Sequence, residues 1–308
     1  MTASSLPDAI QALRDGGLVL MPTETVYGLA ADAANGRAVA AIYAAKGRPS
    51  FNPLIAHVTG LAAAQRIARL DDRALALARA FWPGPLTLVA PILDRDAVCD
   101  LARAGLDTVA VRAPGHPAAQ ALLAGFGGPV VAPSANRSGR PSPTTFADAW
   151  DETGATTAAA LDGGACAVGL ESTVIAALDA GPVRLLRPGG VTRAQIEAVV
   201  GLLVLADDDA HRSPGRLTLH YAPSAPVRLN ATAAEAGEAL IGFGPIYPDD
   251  GLNLSPTGDL AQAAANLFSY LRAADRRFPT AIAIAPIPDE GLGEAVNDRL
   301  RRAAGFIG

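Results

Sequence analysis

The chain has 308 residues, half of them apolar, a formal net charge of −5 and only two cysteines. It can bury a sizeable core in two domains or one large one. Its charge weakens any case for sequence-independent nucleic-acid binding over the whole surface, and Cys99 and Cys166, far apart and in no Cys-x-x-Cys pair, make a disulfide framework or zinc site improbable.

His57, His116, His211 and His220 are scattered without metal-ligand spacing, so no protein-held metal is expected. No apolar run is long enough to span a bilayer, and no basic segment followed by an apolar stretch opens the chain. A cytoplasmic protein is expected. The charge is uneven: net −1 up to Leu205 and net −4 from Ala206 onward, which leaves room for a local basic cleft in the first part.

Pro7 and Gly16-Gly17 bracket a short helix, after which 18–21 reads as a buried strand running into Pro22. Further strands are predicted at 54–58, 86–90, 108–111, 130–132, 172–175 and 183–186, with alanine-rich helices at 37–45, 72–80 and 116–124 and a closing helix at 192–200. Strands and helices intermixed in this way argue for an α/β layered domain over 1–205. Residues 206–226, with three consecutive aspartates and several prolines, read as a linker. Strands at 227–229, 239–243 and 281–285 and helices at 260–274 and 292–304 predict a second, smaller α/β domain over 227–308.

Lys46 is the sole lysine among 25 lysine and arginine residues. A compact ammonium and a planar guanidinium differ most where an anion is gripped in a tight space. The segment Lys46-Gly47-Arg48-Pro49-Ser50-Phe51-Asn52-Pro53-Leu54 sets two cations, a glycine and two prolines between an apolar helix and an apolar strand. A surviving surface lysine is the plainer reading of that residue alone.

Other candidates sit at strand ends, where open α/β sheets bind ligands. Pro22-Thr23-Glu24-Thr25-Val26-Tyr27-Gly28-Leu29 follows the first strand with two hydroxyls, a carboxylate and a phenol, though a capped turn would use some of the same residues. His57 and Arg112 each end an apolar strand, a costly position unless paired. Pro133-Ser134-Ala135-Asn136-Arg137-Ser138-Gly139 offers donors and acceptors suited to phosphate oxygens, or an ordinary turn. There is no Gly-x-x-x-x-Gly-Lys-Ser/Thr loop, no Gly-x-Gly-x-x-Gly after the first strand and no Gly-x-Ser-x-Gly elbow.

The segments 22–30, 46–57, Phe81-Trp82-Pro83-Gly84-Pro85-Leu86-Thr87, 108–117, 132–143, 169–173 and 186–189 together resemble the threonylcarbamoyl-AMP synthase, or YrdC-like, family. Ser213-Pro214-Gly215, His220-Tyr221-Ala222-Pro223, 253–258 and Ala285-Pro286-Ile287-Pro288-Asp289-Glu290-Gly291-Leu292-Gly293 resemble its long form. The resemblance implies an open twisted sheet around a large positive cavity, a Rossmann-like C-terminal domain and a linker folding over the mouth. It implies conversion of ATP, L-threonine and bicarbonate to L-threonylcarbamoyl-AMP and pyrophosphate, the product being used by other proteins to modify tRNA. Direct tRNA binding stays open.

By the same resemblance, Lys46, Arg48, Asn52, Thr108, Asn136, Thr144, Arg187 and Tyr221 would form the ATP site, with Lys46 and Arg48 catalytic. Thr25, His57, Arg112, Ser134 and Ser172 would form the threonine site, Arg112 facing the carboxylate. Magnesium is expected through phosphate oxygens and water. One departure stands out: where the long form usually has Met-Lys-Tyr-Arg or similar before His220, this chain has Arg216-Leu217-Thr218-Leu219. Two alternatives remain at this point. One is a double-stranded-RNA or ribosome-binding module without catalysis, disfavoured because helices 72–80 and 116–124 carry no basic stripe. The other is a carbamoyl-phosphate-handling domain, which would need accessory segments this chain lacks.

Overall fold

In the computed structural model of the chain, residues 2–47, 52–178, 181–205, 220–247 and 252–305 are described. Strands β1 (Val19–Met21), β2 (Gly28–Asp32), β3 (Ile55–His57), β4 (Leu86–Pro91), β5 (Thr108–Arg112), β6 (Val130–Val131), β7 (Ala159–Ala160), β8 (Thr173–Ala176), β9 (Arg184–Arg187) and β10 (Val204–Leu205) make one mixed sheet in the order β10-β9-β8-β4-β5-β3-β6-β2-β1-β7. Strands β11 (Val227–Arg228), β12 (Ala239–Ile241) and β13 (Ile282–Ile284) make a second, all-parallel sheet with β13 in the middle.

The helices are α1 (Leu6–Arg14), α2 (Gly36–Lys46), α3 (Leu61–Ile67), α4 (Asp72–Phe81), α5 (Asp100–Arg103), α6 (Pro117–Phe126), α7 (Phe146–Thr153), α8 (Arg193–Val200), α9 (Leu260–Asp275) and α10 (Leu292–Ala303). None of the described helices is long and apolar enough to cross a membrane. Helix α2 shows why such segments start and stop where they do. Asn35 caps it by accepting from the Arg37 and Ala38 N–H groups, and Gly47 ends it in the left-handed conformation at φ 59°. That ending leaves Lys46 in the last turn, where a cation also suits the helix dipole.

The alternation of side chains along the central strands divides the sheet into a helix-packed face and a site face. Ala56, Leu88, Val109, Val111, Ile175 and Leu185 join the main core with residues of α2, α4 and α8. Their neighbours Ile55, Val89, Ala110, Val174, Ala176 and Leu186 form a separate apolar cluster on the opposite face. His57 and Arg112, two residues beyond Ile55 and Ala110, share that second face and pair in register across β3 and β5. At the β1-β2-β6 end, α1 and α6 cover this face with Leu13, Leu122 and Leu123 packed on Val19, Met21 and Val130.

The second sheet, α9 and α10 build a core that also takes in Val26, Leu170 and Tyr221. The two parts approach closely at Gly169. A Cβ there would lie 2.5 Å from the Cα of Ala265 and 2.6 Å from the Ala264 carbonyl, and φ is +70°, so glycine meets both demands. Charged pairs cross the same junction: Arg272 to Glu152 at 2.9 Å, Arg299 to Glu171 at 3.1 Å, Arg276 to Asp148 and Arg193 to Glu294.

Strand β2 and the short elements α3, α5, α7, β7 and β10 are additions to the sequence expectation. Gly28 and Leu29, expected in a ligand loop, begin β2, which forms an antiparallel hairpin with β1 through 22–27. The run Gly-Leu-Ala-Ala-Asp lacks β-branched and aromatic residues, and burial between β1 and β6 overrides that weak propensity. Of the expected linker, 206–219 lies outside the described residues, including Arg216-Leu217-Thr218-Leu219.

Candidate active site

The turn between β1 and β2 is folded by its own threonines. Thr23 Oγ1 accepts from the N–H groups of Thr25 and Val26 at 3.2 Å each and donates to the Val26 carbonyl at 2.6 Å. It also lies 2.8 Å from Thr25 Oγ1, so the Thr25 side chain is fixed by a local network of the kind that stabilises turns. Tyr27 is buried and donates to the Gly164 carbonyl at 2.8 Å while accepting from the Gly163 N–H at 3.0 Å. The phenol is therefore a structural pin.

Arg112 is buried at the end of β5. Its Nη2 donates to Glu24 Oε1 at 2.6 Å and its Nε to the Gly84 carbonyl at 3.2 Å, while Glu24 Oε2 accepts from the Gly115 N–H at 2.9 Å. Burial pushes the Glu24 carboxyl up, but the charge and hydrogen bond of Arg112 outweigh it and hold the group below its usual range. His57 is buried beside them, its Nδ1 at 3.1 Å from the Ile55 carbonyl. Burial, then the charge of Arg112, push its pKa down to about 3 against the opposing pull of Glu24. The imidazole is neutral at physiological pH and adds no second cation beside Arg112.

Ser172, Glu171 and Arg187 come from the segments around β8 and β9, which touch through glycine. A Cβ on Gly189 would lie 2.4 Å from the Glu171 carbonyl and the Thr173 nitrogen, so only glycine allows this approach. Arg187 donates through Nε and Nη2 to the Ser172 carbonyl at 3.2 and 2.9 Å and through Nη2 to Ser172 Oγ at 3.2 Å, and burial lowers its pKa. Ser172 Oγ lies 2.7 Å from Thr87 Oγ1. The Phe81-Trp82-Pro83-Gly84-Pro85-Leu86-Thr87 motif thus supplies an acceptor for Arg112 through Gly84 and a hydroxyl for Ser172 through Thr87.

Thr25, His57, Arg112, Ser134, Ser172, Arg187 and Tyr221 all line one cavity, together with Glu171 and His220. The His220 and Tyr221 rings meet edge to face at 3.9 Å, and Tyr221, at φ 64°, also stacks on Phe268 of α9 at 5.3 Å. Burial and the charge of Glu171 push the Tyr221 phenol up to about 12. With these rings in place the space open to water centres in the cavity is about 50 Å³, room for a few waters at ~15 Å³ each.

Two family models cover nearly the whole chain. One, Sua5_yciO_yrdC, described as telomere recombination, matches residues 11–189, and one described as threonylcarbamoyl-AMP synthase, C-terminal domain, matches residues 191–305. Proteins named threonylcarbamoyl-AMP synthase from Bacillus subtilis and Pyrococcus abyssi are 39% and 40% identical to this chain, over 97% and 96% of it and 93% and 92% of theirs. The crystal structure of P. abyssi Sua5 complexed with L-threonine superposes with a TM-score of 0.89 at 37% identity, covering 98% of this chain and 94% of that one. The chain belongs to the threonylcarbamoyl-AMP synthase family. A P. abyssi Sua5 variant with a histidine and the following tyrosine both changed to alanine also matches, at a TM-score of 0.83 and 34% identity over 98% of this chain and 93% of that one.

Of the remaining residues implied by the family resemblance, the described ones are not among those that line the cavity. Lys46 is buried one layer behind the cavity wall, its Nζ donating to the carbonyls of Ser134 and Asn136 and thereby holding the 134–136 turn. Asn136 accepts from Ser134 Oγ at 2.6 Å and donates to the carbonyls of Arg137 and Arg140, so its side chain serves the turn itself. Asn52 and Thr144 are buried, with the Asn52 carbonyl accepting from Tyr43 Oη and the Thr144 carbonyl from the Cys166 N–H. Thr108 lies on the same sheet face as Arg112 but at the other end of β5, about 13 Å away at ~3.3 Å per residue. Arg48 lies outside the described residues. Sequence reading had left out Glu171, which adjoins the expected Ser172, and assigned Glu24 no role in the site.

Proposed function

We propose that the chain is a nucleotidyltransferase that converts L-threonine, bicarbonate and ATP to L-threonylcarbamoyl-AMP and pyrophosphate, supplying threonylcarbamoyladenosine formation in tRNA. Similarity along the whole chain to proteins named for this activity supports the reading, as does the L-threonine complex of the P. abyssi relative. The observation that carries it is that Thr25, His57, Arg112, Ser134 and Ser172, from five separate segments, line one cavity.

In this reading the fork of Arg112 receives the threonine carboxylate bidentately, and Glu24 is the counter-ion that keeps the buried guanidinium paired beforehand. Neutral His57 and the hydroxyls of Thr25, Ser134 and Ser172 address the substrate hydroxyl and the carbamate. A site that hydrogen-bonds a hydroxyl rejects analogues lacking it strongly. Bicarbonate takes up a proton and loses water to give carbon dioxide, and the threonine nitrogen then forms a bond to its carbon and loses a proton. A carbamate oxygen then forms a bond to the α-phosphorus as the bond to pyrophosphate breaks. No covalent enzyme intermediate is needed, so positioning, to which Lys46 contributes by holding the 134–136 turn, and charge neutralisation by Arg187 and Arg48 carry the catalysis.

The donor set fits a magnesium ion that arrives on the triphosphate. The carboxylates at the site, Glu24 and Glu171, are engaged by Arg112 and Arg299, so phosphate oxygens and water rather than a carboxylate cage would hold the ion. When bound, magnesium would neutralise phosphate charge. ATP exceeds a 50 Å³ space many times over, so His220 and Tyr221 withdraw to admit it and then cover it, excluding water from a labile mixed anhydride. We keep the division into a catalytic part at 1–205, a linker at 206–226 and a C-terminal part at 227–308. An RNA-binding module is disfavoured, because Arg112 and Arg187 face a cavity rather than an extended surface.

The test is pyrophosphate release from ATP and magnesium with and without threonine and bicarbonate. Release that needs both co-substrates is expected. Release independent of both, or none in any mixture, would sink the reading.

A further inference from the structure

One side chain of the C-terminal part reaches the cavity wall. Arg299, on α10, is wholly buried. Its Nε donates to Glu171 Oε2 at 3.1 Å, and its Nη1 donates to the Pro188 carbonyl at 2.6 Å and to Asp298 Oδ2 at 2.9 Å. Its Nη2 has no hydrogen-bond partner, and the guanidinium carbon lies 5.6 Å from the centre of the Tyr221 ring, the placement of a cation over an aromatic face.

Glu171 is the one carboxylate among the described residues that line the cavity. Both its oxygens are engaged, Oε1 by Ser142 Oγ at 2.5 Å and Oε2 by Arg299. Burial pushes this carboxyl up, yet the charges of Arg299 and Arg187 and the Ser142 bond outweigh it and keep the group anionic. An anion on the wall of a triphosphate site is a liability, since like charges held close together in a weakly screening interior repel strongly. It would also compete with the phosphates for Arg187.

We propose that Arg299 is a positioning residue of the synthase site: it fixes and neutralises Glu171 from the C-terminal side, so that docking of the C-terminal part sets the charge an incoming triphosphate meets. The same guanidinium backs the Tyr221 ring, so the wall carboxylate and the covering ring are registered against one group. The C-terminal part thereby belongs to the nucleotide site although it contributes no group that touches the reacting atoms. This rests on the reading that ATP enters this cavity.

A double-substitution cycle tests it, because packing and charge make opposite predictions. Arg299→Met keeps bulk and removes charge, and raises the KM for ATP at least tenfold while kcat falls less than threefold. Adding Glu171→Gln removes the uncompensated anion and lowers the KM of the Arg299→Met protein at least fivefold, although it restores no contact between the two parts. Thermal unfolding of all four proteins is recorded alongside. No relief by Glu171→Gln, or an unchanged KM in folded Arg299→Met, overturns the proposal. Where Arg299→Met yields no folded protein, Arg299→Gln, which also removes the charge but keeps a donor, carries the same cycle. There a threefold rise relieved by Glu171→Gln is expected, and absence of relief again overturns it. Calorimetric titration of the four proteins with ATP separates the two readings: a wild-type chain that binds ATP without releasing pyrophosphate fails the activity, while the cycle in binding constants still judges Arg299.

Discussion

Two arginine–glutamate pairs, one buried and one with a partly exposed carboxylate, flank the cavity and face it in opposite senses. In Arg112–Glu24 the cation lines the wall and the carboxylate stands behind it. In Arg299–Glu171 the carboxylate lines the wall and the cation stands behind, on a different part of the fold. A buried pair adds little stability compared with an apolar filling, whereas a lone buried charge is very costly. The member kept at the wall therefore indicates what the pair is for. A wall cation can exchange its internal partner for an incoming carboxylate, whereas a wall anion must be kept occupied. The first pair reads as a receptor and the second as a latch.

The sharpest way to break that contrast is Arg112→Ala. Removing one member of a desolvated, hydrogen-bonded charge pair costs about 2–5 kcal/mol, so the KM for threonine should rise by about thirtyfold or more. The KM for ATP should change less than about tenfold on the same scale. Adding Glu24→Gln should give little relief, because the receptor for the substrate carboxylate is still missing. Equal losses for both substrates would remove Arg112 from the threonine site. Relief by Glu24→Gln as large as that expected from Glu171→Gln would make the two pairs equivalent.

Lys46 sharpens the contrast from a third direction, since it is a buried cation that donates to two backbone carbonyls. Its ammonium draws the Ser134 and Asn136 carbonyls of one turn together from behind the wall. A guanidinium is wider and planar and cannot take the same point between them. Lys46→Arg should leave far-UV dichroism intact and lower threonine-dependent turnover by roughly tenfold or more, a shift of about 1.4 kcal/mol. Wild-type turnover would show that this turn accepts either cation.

How much of this was legible in the sequence follows the range of the interactions. Strands ending in His57 and Arg112 were readable because a short continuous apolar run closes on a polar residue, and β3 and β5 end there. The helix before Lys46 was readable over 37–45 from its alanine-rich spacing, and the structure carries it one residue further, through Lys46 to the Gly47 cap. Strand β2 was not, because its alanines and glycine carry almost no strand signal and tertiary pairing alone makes it one. The roles of Thr108 and Asn136 came from resemblance, and the structure places one at the far end of its strand and the other inside its own turn. Glu171 and Arg299 are 128 positions apart. No local pattern relates them, and a buried arginine on α10 carries the same sequence signal as its exposed neighbour Arg301.

The smallest expected effect concerns pH and isolates the receptor pair. His57 has a folded pKa of about 3 against an ordinary 6.5. As pH falls below 6.5 the unfolded chain takes up a proton that the folded chain refuses. The stabilisation is therefore complete above pH 6.5 and declines toward pH 3, at up to about 1.4 kcal/mol per pH unit. Glu24 and Glu171 have lowered pKa values, so their contributions persist down to about pH 4.5 and are lost only as pH falls further through their folded values. Between pH 6.5 and 4.5 the carboxylates of both pairs are thus silent, and His57, which feels Arg112 and Glu24, supplies the slope. His57→Asn keeps a donor toward the Ile55 carbonyl and removes the titration. Urea unfolding at half-unit steps across this window should give a shallower decline for the variant than for the wild type. An unchanged slope would mean that the imidazole beside Arg112 takes its proton as readily folded as unfolded. It would then stand as a second cation at the wall, and the receptor would no longer rest on one arginine.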